Sequence, residues 1–386
     1  MEINNFRKKF NSAIDVLEKF NKAGYEAYFV GGCVRDFLLG CEFSDIDITT
    51  NALPEEVKTI FRKSIDTGIQ HGTVTILVNG ESYEVTTFRT EDDYIDHRTP
   101  EKVEFVSNLR DDLDRRDFTI NAMALDSKGK LYDYHNGKKD LTSKIIKTVN
   151  NPNERFFEDA LRMLRAFRFS SKLGFEIEDS TLVAIKKNAE LIKFVSIERI
   201  VNEFKKLLAG IGSKRSLELL IDSKLNTYIP FLNDISSIVE CSKYTFCQSL
   251  YILAKLNNIS FEKLRDLKLS NKEIKKIKEY EKINLEFHDN IPLELILYKY
   301  DKNDIYFIVD YFGYCEIKDI DIINLPISSF NDIAITSTEI ISIIDKSPGP
   351  WIKEVTKKLE EAILLNKINN NEKNIVDFLK KIRDNM

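Results

Sequence analysis

Two aspartates one residue apart, Asp45 and Asp47, are the side chains of this chain best suited to chemistry. They follow a glycine pair, Gly31 and Gly32, which comes directly after an apolar run. On an extended strand the side-chain period is two, so both carboxylates would point to one face, about 7 Å apart. Like charges this close need a counterion, and Mg²⁺ typically takes one or two carboxylates together with substrate phosphates. The pattern therefore predicts a magnesium site on Asp45 and Asp47, beside backbone that can approach a phosphate closely.

A third carboxylate, Glu84, lies in a run of β-branched residues that is typical of a strand. An isolated glutamate on a strand usually belongs to a solvent-exposed face. If its strand neighbours the one that carries Asp45 and Asp47, however, Glu84 reaches the same site. Three carboxylates can hold two divalent ions about 3.5–4 Å apart and support an in-line phosphoryl displacement. We therefore predict catalytic roles for Asp45, Asp47 and Glu84.

A second polar segment, residues 114–124, alternates charged and apolar side chains. A surface helix followed by a strand, with ion-paired arginines, would account for this pattern. The alternative is a nucleotide contact. In that case Arg116 binds a triphosphate, while Asp117 and Asn121 hold the hydroxyl groups of a ribose.

A third segment spaces Asp159, Arg162, Arg165 and Arg168 three residues apart. On one continuous helix these side chains form a drifting polar stripe opposite a buried apolar side. A ladder of ion pairs would explain the spacing, at only a few tenths of a kcal/mol per pair. Alternatively, Asp159 accepts from the exocyclic amine of a base while Arg162 donates to a ring nitrogen or carbonyl. Cytosine and adenine fit such a pair, whereas uracil and guanine do not.

The elements that would position these residues fall into two classes along the chain. Alternating strand and helix patterns, including a hairpin around Asn79 and Gly80, predict an α/β sheet domain over residues 1–140. Beyond Pro152 the strand signals nearly stop, and helical patterns continue to residue 386. The predicted fold class is α+β, with an α/β head followed by an elongated all-helical remainder.

Composition restricts the classes of function. With 386 residues, 43% hydrophobic and 31% charged, the chain is long and apolar enough for several folded domains. No apolar run approaches about 18 residues and no signal-peptide pattern occurs, which predicts a cytoplasmic protein without a membrane partner. The five cysteines and four histidines form no ligand-spaced cluster, which disfavours a zinc enzyme.

The net charge of −5 means that any RNA binding must depend on local positive charge. Arginines cluster over residues 155–168 and lysines over residues 272–282. The lysine cluster fits a solvated helix face as well as it fits an RNA contact.

Five motifs then occur in a fixed order: Gly31-Gly32-x-x-Arg35-Asp36, Asp45-x-Asp47, Arg115-Arg116-Asp117-Phe118-Thr119-x-Asn121-Ala122, Asp133-x-x-x-Gly137 and Glu158-Asp159-x-x-Arg162. In this order they resemble the motifs of the class II tRNA nucleotidyltransferases, the family of CCA-adding enzymes. Residues 196–204 and, more weakly, residues 348–352 look like continuations of the same family pattern.

This resemblance implies template-independent addition of C, C and A to tRNA 3′ ends from CTP and ATP, with Mg²⁺ and release of pyrophosphate. It implies a catalytic head (1–140), a base-recognising neck (141–210), a body (211–300) and a tRNA-binding tail (301–386). Matched by motif, Asp45 and Asp47 would hold the metals. The nucleotide would contact Gly32, Arg35, Arg116, Asp159, Arg162, Arg165 and Arg168. The macromolecular partner would be the acceptor and TΨC arms of tRNA, bound by a monomer or a homodimer.

Neighbouring activities of the same family remain as alternatives. The poly(A) polymerases that share this head and neck are longer chains with basic tails, whereas this chain is shorter and acidic. CC-adding enzymes lack a flexible loop that would let the site switch from CTP to ATP, and residues 90–100 stand in its place here. A-adding enzymes keep such a loop, so that alternative stays open. A non-catalytic RNA-binding protein of this fold is disfavoured because Asp45, Asp47 and Glu84 are all present.

Overall fold

The computed structural model describes residues 3–68, 72–95 and 99–384. The chain forms two compact units, Met1–Leu269 and Ser270–Met386. The strands, all in the first unit, are β1 (Ala27–Val30), β2 (Asp47–Thr50), β3 (Ser64–Gly68), β4 (Thr73–Val78), β5 (Glu81–Thr87), β6 (Arg89–Ile95), β7 (Thr99–Phe105), β8 (Met123–Leu125), β9 (Leu131–Asp133), β10 (Ile145–Ile146) and β11 (Glu176–Ile177).

The helices continue through both units. Those of the first unit are α1 (Ile3–Lys22), α2 (Gly32–Leu38), α3 (Pro54–Ile60), α4 (Leu109–Asp114), α5 (Gly137–Thr142), α6 (Pro152–Glu158), α7 (Leu161–Leu173), α8 (Asp179–Asn188), α9 (Ile197–Leu208), α10 (Ser213–Asp222) and α11 (Phe246–Leu256). Those of the second unit are α12 (Asn271–His288), α13 (Leu293–Lys299), α14 (Lys302–Phe312), α15 (Ile317–Asp321), α16 (Ser337–Ile344), α17 (Trp351–Leu364) and α18 (Glu372–Asp384).

A mixed seven-stranded sheet forms the head, in the order β3-β4-β5-β2-β1-β8-β9. Strands β2 and β5 are parallel, and the other neighbouring strands are antiparallel. Asp47, the first residue of β2, lies opposite Val30 on one side and Glu84 on the other. The predicted α/β head followed by helices is confirmed.

Aromatic packing joins α1 to this sheet. Phe6, Phe10, Leu17 and Phe20 recur near the helical period and are all buried. The rings of Phe10 and Phe29 stack with centroids 4.4 Å apart, so α1 is joined to β1. The hairpin of β4 and β5 turns at Asn79 and Gly80, which both have positive φ, as a tight two-residue hairpin turn requires.

Two boundaries differ from the sequence predictions at the site. The strand predicted to carry both Asp45 and Asp47 begins only at Asp47, so Asp45 lies on the preceding loop. The reason is that β1 ends at Val30, opposite Asp47, and the chain turns away at Gly31. The one continuous helix considered for Asp159 and the three arginines is interrupted at Asp159, whose backbone is extended and whose Oδ1 accepts from the Leu161 N–H at 3.1 Å. Asp159 is therefore not on the helix that carries the arginines.

Residues 90–100, predicted to be a flexible loop, lie largely in a β-ribbon. Strands β6 and β7 pair antiparallel from Arg89 and Phe105 to Ile95 and Thr99, outside the main sheet. Residues 96–98, within the predicted loop, lie outside the described residues. The helical part also contains one short strand pair, because β10 and β11 pair in parallel.

The second unit is a group of helices around its own core. Apolar side chains from α16, α17 and α18 form most of this core, including Ile340, Ile344, Leu359, Ile375 and Leu379. Helix α17 begins within the weak motif at 348–352, where the indole N–H of Trp351 donates to the Ser347 carbonyl at 2.8 Å. Within the described residues, no helix has both the length and the apolar character of a membrane span.

Candidate active site

A cleft of about 960 Å³ in the first unit is lined by the head sheet, α2, α7 and α9. It brings together eleven of the twelve predicted site residues. These are Gly32, Arg35, Asp45, Asp47, Arg116, Asp117, Asn121, Asp159, Arg162, Arg165 and Arg168. The exception is Glu84, which is exposed and adjoins Asp47 in register without lining the cleft.

The carboxylates of Asp45 and Asp47, at the N-terminal end of β2, favour the binding of a cation. Burial raises the pKa of Asp47, Arg116 lowers it, and the negative charges of Glu84 and Asp45 raise it again. Asp45 is exposed on its loop and Asp47 is half-buried. Among the described residues, no group of three His, Cys, Asp or Glu side chains forms a metal cluster. Two carboxylates with neighbouring negative charge fit a divalent ion that takes its other ligands from water and substrate phosphates.

The glycine pair leaves room where these charges meet. Gly31 has a φ of 73°, and a Cβ built on it would lie 3.3 Å from Arg116 Nη1 and 3.7 Å from Asp47 Oδ2. Any side chain at position 31 would therefore have a strained backbone, and its Cβ would crowd Arg116 while touching Asp47. The glycine keeps an arginine and a carboxylate at the edge of open cleft.

A chain of hydrogen bonds connects α2 to α7 through the second polar segment. The Arg35 guanidinium donates to both Asp36 oxygens, at 2.7 and 2.9 Å, and through Nη1 to Asn121 Oδ1 at 2.7 Å. Asn121 donates to Asp117 Oδ1 at 3.1 Å, and Arg165 Nε donates to Asp117 Oδ2 at 2.9 Å. Burial alone would raise the pKa of Asp117, but the Arg165 charge and these hydrogen bonds lower it to about 2. The carboxylate is therefore ionised at neutral pH.

The fourth motif, Asp133-x-x-x-Gly137, positions α5 against the second polar segment. Asp133 accepts from the Gly137 and Lys138 N–H groups at 2.8 and 3.0 Å, at the start of α5. A Cβ at Gly137 would lie 2.2 Å from the Thr119 carbonyl oxygen. The motif thus lets α5 pack against the turn at Thr119–Asn121, which carries a residue of the site.

Asp159 and Arg162 occupy the wall of the cleft beside α6. Asp159 Oδ2 accepts from Arg199 Nη2 at 2.8 Å. Arg162 is only 7% exposed, and it donates to Glu158 Oε2 at 2.6 Å and to the Arg115 carbonyl at 2.9 Å. Because Asp159 lies on the bend, the predicted stripe does not run along one continuous helix. Helix α7 does carry the three predicted arginines Arg162, Arg165 and Arg168.

Several residues of the site were not predicted from sequence. Glu203 of α9 is 5% exposed and lies 3.2 Å from Arg168 and 3.9 Å from Arg165. Arg199, from the same helix, also lines the cleft. Both belong to the segment 196–204, whose family pattern was visible but whose contacts depend on how α9 packs against α7.

The charge of the cleft is opposite to that of the chain. Nine arginine and lysine side chains line it, against six aspartates and glutamates, although the whole chain has a net charge of −5. An excess of guanidinium groups beside a carboxylate pair suits a polyanion that carries a divalent cation. The arrangement can bind a nucleoside triphosphate.

Comparison with known proteins agrees with this geometry. Three family models match in succession: "Poly A polymerase head domain" at residues 27–147, "Probable RNA and SrmB-binding site of polymerase A" at 174–235, and "tRNA nucleotidyltransferase domain 2 putative" at 248–379. A relative from Staphylococcus haemolyticus, called CCA-adding enzyme, is 42% identical over 96% of this chain and 98% of its own. The chain belongs to the CCA-adding enzyme family.

Other members of the CCA-adding enzyme family support this assignment over the full length. The CCA-adding enzyme of Ligilactobacillus salivarius is 42% identical and covers 99% of both chains. The crystal structure of the Bacillus stearothermophilus CCA-adding enzyme in complex with CTP is 33% identical, with a TM-score of 0.87 over 98% of both chains. The family resemblance and the fold class predicted from sequence are confirmed. Nucleotidyltransferases of this family use a divalent metal.

Proposed function

We propose that this chain adds C, C and A in turn to the 3′ ends of tRNA, using CTP and ATP and releasing pyrophosphate. The observation that carries the proposal is that one cleft joins the carboxylates at the start of β2 to the arginines of α7. Such a cleft holds a triphosphate at one end and a base at the other. The names of full-length relatives support the same reaction.

The head would supply the metal site. Asp45 and Asp47 are proposed to hold the divalent ions, which we propose are Mg²⁺. When bound, the metal would lower the pKa of the attacking tRNA hydroxyl and neutralise charge on the triphosphate and the departing pyrophosphate. The carboxylate of Glu84, beside Asp47 in the sheet, adds negative charge next to the site, which raises the pKa of Asp47 and attracts a cation. We propose that Glu84 takes part in catalysis with the two aspartates.

The nucleotide would lie along the arginines. Gly32 would let the backbone approach the phosphates, and four guanidinium groups would bind the triphosphate; these belong to Arg35, Arg116, Arg165 and Arg168. Asp117 and Asn121 would bind the ribose, with Asp117 acting in large part through Asn121 and Arg165, which it holds.

The base would be chosen at the bend before α7. We propose that Asp159 accepts a hydrogen bond from the exocyclic amine of cytosine or adenine and that Arg162 donates to the ring. Both side chains line the cleft and both are already held by protein partners. Uracil and guanine carry a carbonyl where these bases carry the amine, so they would present an acceptor to a carboxylate.

The helices beyond about residue 210 would hold the tRNA. We propose the division into head (1–140), neck (141–210), body (211–300) and tail (301–386), with the acceptor and TΨC arms bound through phosphate contacts. Such binding should weaken steeply as salt rises. We propose the cytoplasm as the compartment, since tRNA and nucleoside triphosphates occur there.

Incubation with tRNA lacking its 3′ terminus, one labelled nucleotide at a time and Mg²⁺ tests the proposal. CTP should label this tRNA, and ATP should label tRNA that already ends in CC. Labelling by GTP or UTP alone would refute the proposal, and ATP tracts dozens long would favour a poly(A) polymerase. Full tRNA binding without turnover, unchanged in Asp47→Ala, would favour a non-catalytic RNA-binding protein.

A further inference from the structure

Three arginines of the cleft converge on the ring of Phe169 in α7. The guanidinium carbons of Arg168, Arg35 and Arg165 lie 4.2, 5.2 and 5.5 Å from its centroid. All three distances fall within the range of about 6 Å in which an aromatic face attracts a cation. The ring is 3% exposed and forms part of the cleft wall. It is therefore a contact that the three guanidinium groups share.

Carboxylates pair with the other sides of these arginines. Arg35 pairs with Asp36 of α2 and Arg165 with Asp117, while Glu203 of α9 lies near both Arg168 and Arg165. Glu203 thus links the two arginines of α7, but Arg35 is connected to them only indirectly, through Asn121 and Asp117. The ring of Phe169 is the contact that all three guanidinium groups share directly. Like charges this close also repel one another.

The orientation of the ring is set from the head. Phe118 meets Phe169 edge to face, with centroids 5.7 Å apart and ring planes at 78°. This is a favoured geometry for an aromatic pair. Phe118 directly follows Asp117, so the residue that holds Arg165 and the residue that orients the ring are neighbours in the chain.

We propose that Phe169 is a positioning residue for nucleotide binding, whose ring holds Arg35, Arg165 and Arg168 at the spacing that a triphosphate needs. This inference rests on the proposed function, in which these arginines contact the nucleotide. The negative face of the ring offsets the mutual repulsion of the guanidinium groups and keeps water from separating them. An aliphatic side chain of similar size fills the space but lacks this attraction.

The variant Phe169→Leu tests the inference, with Phe167→Leu as its matched control. Phe167 is on the same helix and is fully buried, and among the described residues no cation lies over its ring. Both variants lose one buried ring, so both should lose similar thermal stability. Only Phe169→Leu should raise the KM for CTP and ATP, by about tenfold, with little change in kcat or in base choice. Phe169→Tyr, which keeps a ring, should stay near the wild-type KM.

Equal KM values in the two leucine variants would overturn the inference. If Phe169→Leu does not fold, site-specific incorporation of mono-, di- and trifluorinated phenylalanine at 169 replaces it, because fluorine weakens the ring quadrupole at nearly constant shape. KM should then rise stepwise with fluorine number, and a constant KM would refute the role.

Calorimetry of CTP binding to the wild type and the same variants distinguishes failure of this inference from failure of the proposed function. A wild type that binds CTP without adding it refutes only the proposed function, and one that does neither refutes both.

Discussion

Arg199 and Asp159, forty residues apart in the chain, form an ion pair in the wall of the cleft, with Arg199 Nη2 at 2.8 Å from Asp159 Oδ2. The other oxygen of Asp159 accepts from the Leu161 N–H. Asp159 lies on the bend between α6 and α7, whereas Arg199 comes from α9. The carboxylate proposed to select the base is thus held from two sides before any base arrives.

Arg199→Ala should weaken base selection. Without this partner only the Leu161 N–H still holds the Asp159 carboxylate, and water can bind the oxygen that Arg199 held. We therefore expect KM for CTP and ATP to rise about tenfold, a loss of roughly 1.4 kcal/mol. Incorporation of UMP relative to CMP should rise as well. Steady-state kinetics with all four nucleotides measures both effects. Arg215→Ala removes an exposed arginine that pairs with Glu176, and it serves as the control that should change neither. Unchanged selectivity in Arg199→Ala would contradict the role.

Asp47→Asn should abolish turnover without harming the fold. Loss of the carboxylate that we propose holds the metal would remove several kcal/mol of transition-state stabilisation, about a thousandfold in rate. Burial and nearby carboxylates raise the pKa of Asp47, so its charged form costs stability above its ordinary pKa. The neutral amide should therefore leave the melting temperature in EDTA unchanged or higher. Asp66→Asn, at an exposed surface ion pair with Lys58, should keep full activity. A large drop in melting temperature for Asp47→Asn would contradict this account.

Arg162→Ala should lose both selectivity and stability. It removes the donor shared by the Arg115 carbonyl and the Glu158 carboxylate in a buried setting. We expect the free energy of unfolding to fall by about 1–3 kcal/mol, and the preference for CTP and ATP over UTP and GTP to decrease. Arg162→Lys keeps the charge but not the planar fork, so it should recover part of the stability and little of the selectivity. Full nucleotide preference in Arg162→Ala would show that Arg162 does not contact the base.

Acidic pH should remove the contribution of Asp117 to the free energy of unfolding. Its pKa is lowered to about 2, so its charged form stabilises the folded state at every pH above its ordinary value of 3.8, and this stabilisation is lost as pH falls toward 2. At pH 7 we expect Asp117→Asn to be less stable than wild type by roughly 2 kcal/mol. The gap should narrow between about pH 4 and 2. Urea unfolding of both proteins across this range measures it, and a gap that stays constant would contradict the ion pair with Arg165.

Removal of the β6–β7 ribbon should separate C addition from A addition. Thr90 and Glu104 lie opposite each other, so a two-residue turn between them can replace residues 91–103. The family resemblance implies that this segment permits the switch from CTP to ATP. We therefore expect CMP addition to remain and AMP addition to tRNA ending in CC to be lost. CMP addition on the same tRNA batch is the internal control, and unaltered AMP addition would refute the role.

Local sequence patterns were sufficient to predict elements in which the spacing of apolar or turn-forming residues determines the structure. The apolar period of α1 and the Asn79–Gly80 turn of the hairpin are examples. Local patterns were insufficient where pairing with a distant strand decides whether a segment is extended. Residues 90–95 carry many charges and do not look like a strand, yet β7 supplies their backbone partners. Asp45 looks like part of β2, but β1 ends too early to pair with it.

The predicted site residues came from motifs, and their partners came from tertiary packing. Eleven of the twelve line one cleft, because the motifs flank the ends of β1, β2 and β8 and lie at the start and along one face of α7. Nothing local indicates that Arg199 reaches Asp159 or that Glu203 lies between two arginines, since both contacts require α9 to pack on α7. Phe169 looks like an ordinary core residue until the positions of Arg35 and Arg165 are known.

The most direct measurement is the sequence of the 3′ ends produced from three tRNA transcripts, ending before C, after C and after CC, with CTP, ATP and Mg²⁺ together. All three should converge on one terminus, CCA, with no further nucleotides. Transcripts that stop at CC, that are extended only when they already end in CC, or that grow past the first A would contradict the central claim.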